Sequence, residues 1–380
     1  MARRDVHTVV LHVGLPKSGT TYLQRSLEAN AVALGDRGVL HPRGRAGGDD
    51  PVFRAALDLR GNHKAWGRRR ADVDGAWDQV CSLARAHVGT TVISHELLAA
   101  ASRRQVVAAT TMLKDLDLHV VVTARDLARQ LVAEWQEGVK HGRAVPFAEY
   151  QQRVARGEDA LGRHFHAAQD LPDVLARWGH GLPPDRVHVV VAEPEGADPS
   201  RLWARFAQAV GFDPDGYPPA APDALNPSLG VAEIDLLRRV NTALDGRLRQ
   251  PAYGRLVKHR LAHTVLSPSA SPRPRLPLPL HDDLVPVAER WVKEIQKAGY
   301  AVHGDLEHLV PVPPRETVPH PDHVTPETRD TEVDVAATAI AALLLDLEAA
   351  EARAEERDEK RRSWKKRAKK LRVRLAELTD

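Results

Sequence analysis

The chain has 380 residues, with 54 lysines and arginines against 51 acidic residues, a formal charge of +3, and 43% hydrophobic residues. It is long enough for one large domain with an appendage, or for two domains. A single cysteine, Cys81, excludes an internal disulfide framework and a cysteine zinc site, and the mild basic excess argues against a nucleic-acid-binding core.

In chain order, His7–Val13 is a short apolar run that leads into a glycine loop, Gly14-Leu15-Pro16-Lys17-Ser18-Gly19-Thr20-Thr21. It is too short, and too broken by His12, for a secretory leader, and reads as a buried strand. Leu23, Leu27, Ala31 and Leu34 follow at helical spacing. Strand, glycine loop and helix bring backbone amides and a helix N-terminus to one point, the arrangement that receives anions.

Gly14 and Gly19 keep the spacing of a triphosphate loop, but GxxxxGK[ST] needs lysine directly after the second glycine. Thr20 stands there, and the lysine, Lys17, lies two residues before Gly19.

Three more apolar runs, Thr90–Ser94, Leu118–Ala124 and Arg186–Ala192, read as strands buried on both faces, alternating with helical patterns such as Leu202, Phe206 and Val210. That alternation predicts an α/β fold: a parallel sheet flanked by helices, with ligands at the carboxyl ends of the strands. Lys17, His95 and Arg125 each fall just after such a strand. HELLA at His95–Ala99 lacks the second histidine of a zinc helix, and the other histidines lack ligand spacing, so no metal is expected.

Further along, Leu236, Val240, Leu244 and Leu248 recur every four residues after Asn226-Pro227-Ser228-Leu229-Gly230. The Pro-rich Ser267–Pro279 favours extended chain, and a short segment with Trp291, Ile295 and Tyr300 packs back. The domain is expected over 1–310, a Pro/His-rich linker over 311–332, and one long charged helix over 333–380. Apolar positions thin out in the middle of that helix, so continuous heptads are not expected, although a coiled coil and self-association through it stay open. Its strongly basic Lys360–Arg374 cluster reads as a solvated face, with contact to nucleic acid or an anionic membrane as the alternative. Ala336–Leu345 is too short to span a bilayer of roughly 30 Å, and with reduced Cys81 the expectation is a soluble, cytoplasmic protein without a transmembrane segment or a nucleic-acid partner.

The segment PKSGTT after a first strand resembles the 5′-phosphosulfate loop of sulfotransferases that use 3′-phosphoadenosine 5′-phosphosulfate (PAPS). The resemblance extends over roughly residues 6–310 and implies a sulfotransferase-like P-loop domain. By that resemblance Lys17 stabilises the bridging oxygen as sulfate leaves, while Ser18, Gly19, Thr20 and Thr21 supply amides and hydroxyls. A fixed cation aimed at developing charge is what such a reaction needs.

By the same resemblance the base that takes the acceptor's proton is His95, which matches the histidine of cytosolic members, in preference to the adjacent Glu96, other branches using glutamate. Neighbours on an extended segment face opposite ways, so one of the two points into the site. Arg125, in Thr123-Ala124-Arg125-Asp126-Leu127, is similar to the arginine that holds the PAPS 3′-phosphate, by guanidinium geometry suited to phosphate. The family's serine eight residues later is Ala133 here, for which Arg129 or Gln136 on the following helix would have to compensate.

Ser228, in a segment similar to one of bacterial members, is a further nucleotide-binding candidate; with Asn226 it reads equally as a helix N-terminus. The implied activity is sulfuryl transfer from PAPS to a hydroxyl, or an amine, of a carbohydrate, glycolipid or small metabolite, without metal. The rival readings are a P-loop kinase or NTPase, and a non-catalytic nucleotide-binding scaffold with a helical interaction tail.

Overall fold

Alternate residues of the first strand enter two different cores, and the layering of the molecule follows from that. In a computed structural model describing residues 7–44, 50–221, 228–267, 271–314, 318, 320–323 and 325–377, β1 (His7–His12) leads through α1 (Thr20–Ala29) and α2 (Ala31–Gly35) to β2 (Val39–Leu40). Helices α3 (Pro51–Arg60) and α4 (Ala76–Ala86) precede β3 (Gly89–Ser94), and α5 (Arg103–Thr111) precedes β4 (Asp117–Ala124). Next come α6 (Leu127–Lys140), α7 (Phe147–Arg156), α8 (Ala160–Gln169), α9 (Leu171–Trp178) and β5 (Val187–Val191). The chain ends with α10 (Ser200–Val210), α11 (Val231–Leu244), a π-helical segment (Gly254–Leu266), α12 (Leu278–Ala298), β6 (Ala301–His303) and α13 (Pro326–Glu377).

The six strands form one all-parallel sheet in the order β2-β3-β1-β4-β5-β6. Val9, Leu11, Val120, Val122, Val187 and Val189 point into one core with the larger set of helices. Val10, Val92, Val121 and Val190 point into the other, beneath α1 and α10. This is the period of two expected of strands buried on both faces. β1 pairs with β3 on one side and β4 on the other, so the connections diverge from it and open a crevice beyond its carboxyl end.

The four long strands lie within a residue of their expected bounds. β2 and β6, of two and three residues, are too short to show a period and were not anticipated. The expected short segment around Trp291 is instead a 21-residue helix. It begins at Leu278 inside the Pro-rich run because Pro279 occupies its first turn, where no backbone donor is needed.

The long tail helix starts at Pro326 rather than 333: the Thr325 hydroxyl accepts from the Thr328 amide at 3.2 Å, capping the helix with proline as its first residue. The stretch read as a linker touches the body. Both carboxylate oxygens of Asp322 accept amides at the start of α7, from Phe147 at 2.8 Å and Ala148 at 2.7 Å. Among the described residues no helix is long and apolar enough to cross a membrane. Cys81 is fully buried, and burial pushes its thiol up to about 12.

Candidate anion-binding site at the carboxyl edge of the sheet

The chain leaves β1 at His12 and must turn sharply to begin α1. Gly14 makes the turn at φ 37°, and a Cβ there would lie 2.4 Å from the Thr20 methyl. Gly19 stands before the helix at φ 99°, where a Cβ would lie 2.4 Å from Leu202 Cδ2. Lys17 has φ 66°, a left-handed conformation that a lysine adopts only when its surroundings impose it. The amides of Gly19, Thr20 and Thr21 find no acceptor among the described residues, as expected of a first helical turn.

What imposes this shape is a buried hydrogen-bond chain across three strands. Ser18 Oγ donates to the Leu15 carbonyl at 2.5 Å, so its partner Thr123 Oγ1, 2.6 Å away, must donate to it. Thr123 then accepts from His12 Nε2 at 3.2 Å, leaving His12 Nδ1 to accept from Ser94 Oγ at 2.7 Å. The directions require a neutral imidazole, and burial holds His12 down at about 3. Ser18 was expected to face a ligand. Its hydroxyl is turned inward and its amide donates to the Leu15 carbonyl at 3.2 Å, so it shapes the loop instead.

The Pro16 carbonyl is gripped from outside the loop. Gln130 and Gln169 both donate to it, the latter at 3.1 Å. The Gln130 oxygen in turn accepts from Arg125 Nε at 2.9 Å. Arg125, at the end of β4, also donates Nη2 to the Arg129 carbonyl at 3.0 Å, and makes no ion pair among the described residues. Its guanidinium is held by neutral acceptors and half-buried, with donors to spare; burial, with Arg129 nearby, lowers it to about 10.

Lys17 Nζ donates to Glu137 Oε2 on α6 at 2.8 Å. The other carboxylate oxygen takes Lys258 Nζ at 2.7 Å and lies 3.1 Å from His141 Nε2. Burial opposes ionisation of Glu137, but the His141 hydrogen bond and the Lys17 and Lys258 charges hold it well below the carboxylate range. Lys140 is brought down to about 8 by burial and by Lys17, and His263 to about 4 by burial, Lys140 and Lys258. Glu134 is raised to about 7, chiefly by burial, and its Oε1 has no partner among the described residues. Lys17 and Lys258 thus share one firmly ionised carboxylate beside the open amides of the loop.

At the end of β3, His95 and Glu96 part company. His95 stacks on Phe53 at 5.4 Å, and its Nδ1 accepts the Leu97 amide at 3.2 Å. In a neutral ring so held the proton sits on Nε2. Glu96 is partly exposed and accepts from Gln24 of α1 at 3.1 Å. Burial works to raise it, but His95, its own backbone amide, Gln24 and Lys17 outweigh that and hold it low. Phe53 continues to Trp66 at 5.1 Å and Trp66 to His141 at 5.6 Å, an aromatic wall between the two histidines.

The sheet therefore gathers Lys17, Thr20, Thr21, His95, Glu96 and Arg125 along one edge. It does not add Arg129 or Gln136. Arg129 is tied to the Asp126 carboxylate and, at 3.1 Å, to the Glu193 carbonyl, while Gln136 donates to the Leu229 carbonyl at 3.1 Å. Neither stands in for the serine that Ala133 replaces. Ser228 is exposed, and Asn226 lies outside the described residues. Gln24, Gln130, Gln169 and Lys258 were not anticipated. Gln24, beside the apolar Leu23 and Leu27 of α1, was the readable signal; the others are joined to the loop only by the fold. Among the described residues no group of three or more His, Cys, Asp or Glu could hold a metal ion.

No family model, curated protein or solved structure matches this chain. The fold and the site define a three-layer α/β protein with a glycine loop at the point where its parallel sheet diverges.

Proposed function

We propose that the chain is a sulfotransferase that moves a sulfuryl group from PAPS to a hydroxyl, or an amine, of a carbohydrate, glycolipid or small metabolite. The observation that carries this reading is the placement of Lys17, on a strained backbone two residues before Gly19, among Lys140 and Lys258, with Thr20 where a triphosphate loop has its lysine. The open amides of the first turn, on a loop packed so closely that a Cβ at Gly14 or Gly19 would strike Thr20 or Leu202, fit a tetrahedral anion.

In this reading the residues divide the work. Gly19, Thr20 and Thr21 hold the 5′-phosphosulfate, and Arg125 holds the 3′-phosphate. Lys17 exchanges Glu137 for the oxygen that takes up the electron pair as the sulfur–oxygen bond breaks. The acceptor oxygen forms the new bond to sulfur, and its proton passes to Glu96. Glu96 is favoured over His95 because the Leu97 amide occupies the nitrogen through which that ring would accept a proton. The Phe53–Trp66 wall suits the flat face of a sugar ring or an apolar stem.

The test is thermal unfolding with adenosine 3′,5′-bisphosphate, compared with magnesium-ATP. At about 100 times its dissociation constant the bisphosphate adds roughly 2.7 kcal/mol of stability. Stabilisation by magnesium-ATP alone transfers the protein to the kinase class. A response to neither leaves the non-catalytic scaffold.

A further inference from the structure

Helix α13 uses only part of its circumference to dock on the body. Glu332 is buried and pairs with Arg239 at 3.0 Å, Val335 and Ala339 join the core, and Asp346 accepts from Arg260 at 2.8 Å. One residue on from each of these, about 100° round the helix, runs a second stripe: Val333, Ala336, Ile340 and Leu347, to which Leu343 and Ala350 belong by the same spacing. Its large members are exposed, Val333 at 68%, Ile340 at 58% and Leu347 at 54%.

In the sequence this stripe does not stop where the helix leaves the body. The three-four spacing continues through Ala354, Arg357, Arg361, Trp364, Ala368, Leu371 and Leu375, broken only by the two arginines. Heptads interrupted at Arg357 and Arg361 are therefore present. They are obscured because a docking stripe and an exposed stripe lie side by side and blur each other's period.

We propose that the exposed stripe is the seam of an antiparallel two-stranded coiled coil formed with a second copy of this chain. The charges choose the orientation. Residues 346–359 carry seven acidic and two basic side chains, and residues 360–374 carry ten basic and no acidic ones. Parallel pairing sets like block against like. Antiparallel pairing about residue 359 sets the acidic block of each copy against the basic block of the other.

The same register places Ala354 opposite Trp364, Ala350 opposite Ala368, Leu347 opposite Leu371 and Leu343 opposite Leu375. A small residue meets the indole, and leucine meets leucine. Arg357 falls opposite Arg361 at the centre, a polar layer of the kind that fixes register. The paired region is roughly 50 Å long at 1.5 Å per residue. A purely anionic surface would meet the basic block but be repelled by the acidic block beside it, which favours the self-complementary partner.

The test is sedimentation of the full chain at low salt. The expected result is a species of twice the monomer mass, reduced to monomer in the double variant Leu343→Glu, Leu347→Glu with the unfolding transition of the body unchanged. Orientation is read by mixing two differently tagged chains, one carrying Ala354→Cys and the other Trp364→Cys, under oxidation; Cys81 is fully buried and does not interfere. Cross-linking of the mixed pair supports the antiparallel seam, and cross-linking of each variant with itself overturns it. A chain that stays monomeric to its solubility limit also overturns it, including one that instead co-sediments with phosphatidylserine vesicles or with duplex DNA.

Discussion

Lys17 and Glu137 are 120 residues apart in sequence, and their charged ends meet at 2.8 Å at the mouth of the loop. Glu137 shares its other oxygen with Lys258, so each lysine depends on the same carboxylate. The two partners should respond to substitution with opposite signs. Lys17→Met should weaken binding of adenosine 3′,5′-bisphosphate and cut transfer about 100- to 1,000-fold. Glu137→Gln should tighten the bisphosphate by leaving the cations uncompensated. Titration calorimetry on both variants reads this directly, and changes of the same sign would count against an anion seat.

Gly14→Ala tests the loop as a built shape. The added Cβ would lie 2.4 Å from the Thr20 methyl at a φ that disfavours side chains. We expect a loss of about 1–3 kcal/mol in urea unfolding, with bisphosphate binding lost as well. An unchanged midpoint would mean that the turn is looser than described.

Arg125→Lys should separate the two phosphates of the nucleotide. Lysine keeps the charge but loses the forked donors and the bond to Gln130. Affinity for adenosine 3′,5′-bisphosphate should fall by about tenfold or more, while adenosine 5′-phosphate binds as before. An equal loss for both ligands would remove Arg125 from the 3′-phosphate.

Glu96→Gln should lower the turnover of the proposed transfer by about 10²- to 10⁴-fold, and His95→Gln should cost less. The opposite ranking would return the base to His95.

Acid should loosen the fold through its buried imidazoles. Burial lowers His12 to about 3, and burial together with His303 and His119 lowers His188 to about 4. Above the unfolded value near ~6.5 both states are neutral and nothing changes. As pH falls from there toward about 3, the unfolded chain takes up protons that the folded chain refuses, so stability drops. A tenfold difference in proton affinity is worth about 1.4 kcal/mol. Urea midpoints at a series of pH values should show the decline, and His188→Gln should flatten it.

Much of the sheet was legible because buried parallel strands write continuous valine-rich runs, and the glycines mark the loop because no other residue fits there. The ends of β1, β3 and β4 thus pointed to Lys17, His95, Glu96 and Arg125 as residues at one edge of the sheet. What the sequence hid was everything set by contact across the fold. Ser18 looked like a ligand and is a strut, because only Thr123, on another strand, draws it inward. Arg129 looked like a spare cation and is spent on Asp126. The start of α13 was hidden by prolines, which read as linker until Thr325 is seen capping a helix whose first residue is Pro326.

Gln130 reaches in two directions, its nitrogen to the loop at Pro16 and its oxygen to Arg125. If the loop and Arg125 hold the two phosphates as proposed, one short, buried side chain sets the distance between them. The crevice then has a gauge built into it, and ligands would be sorted by the span between their anionic groups as much as by their total charge.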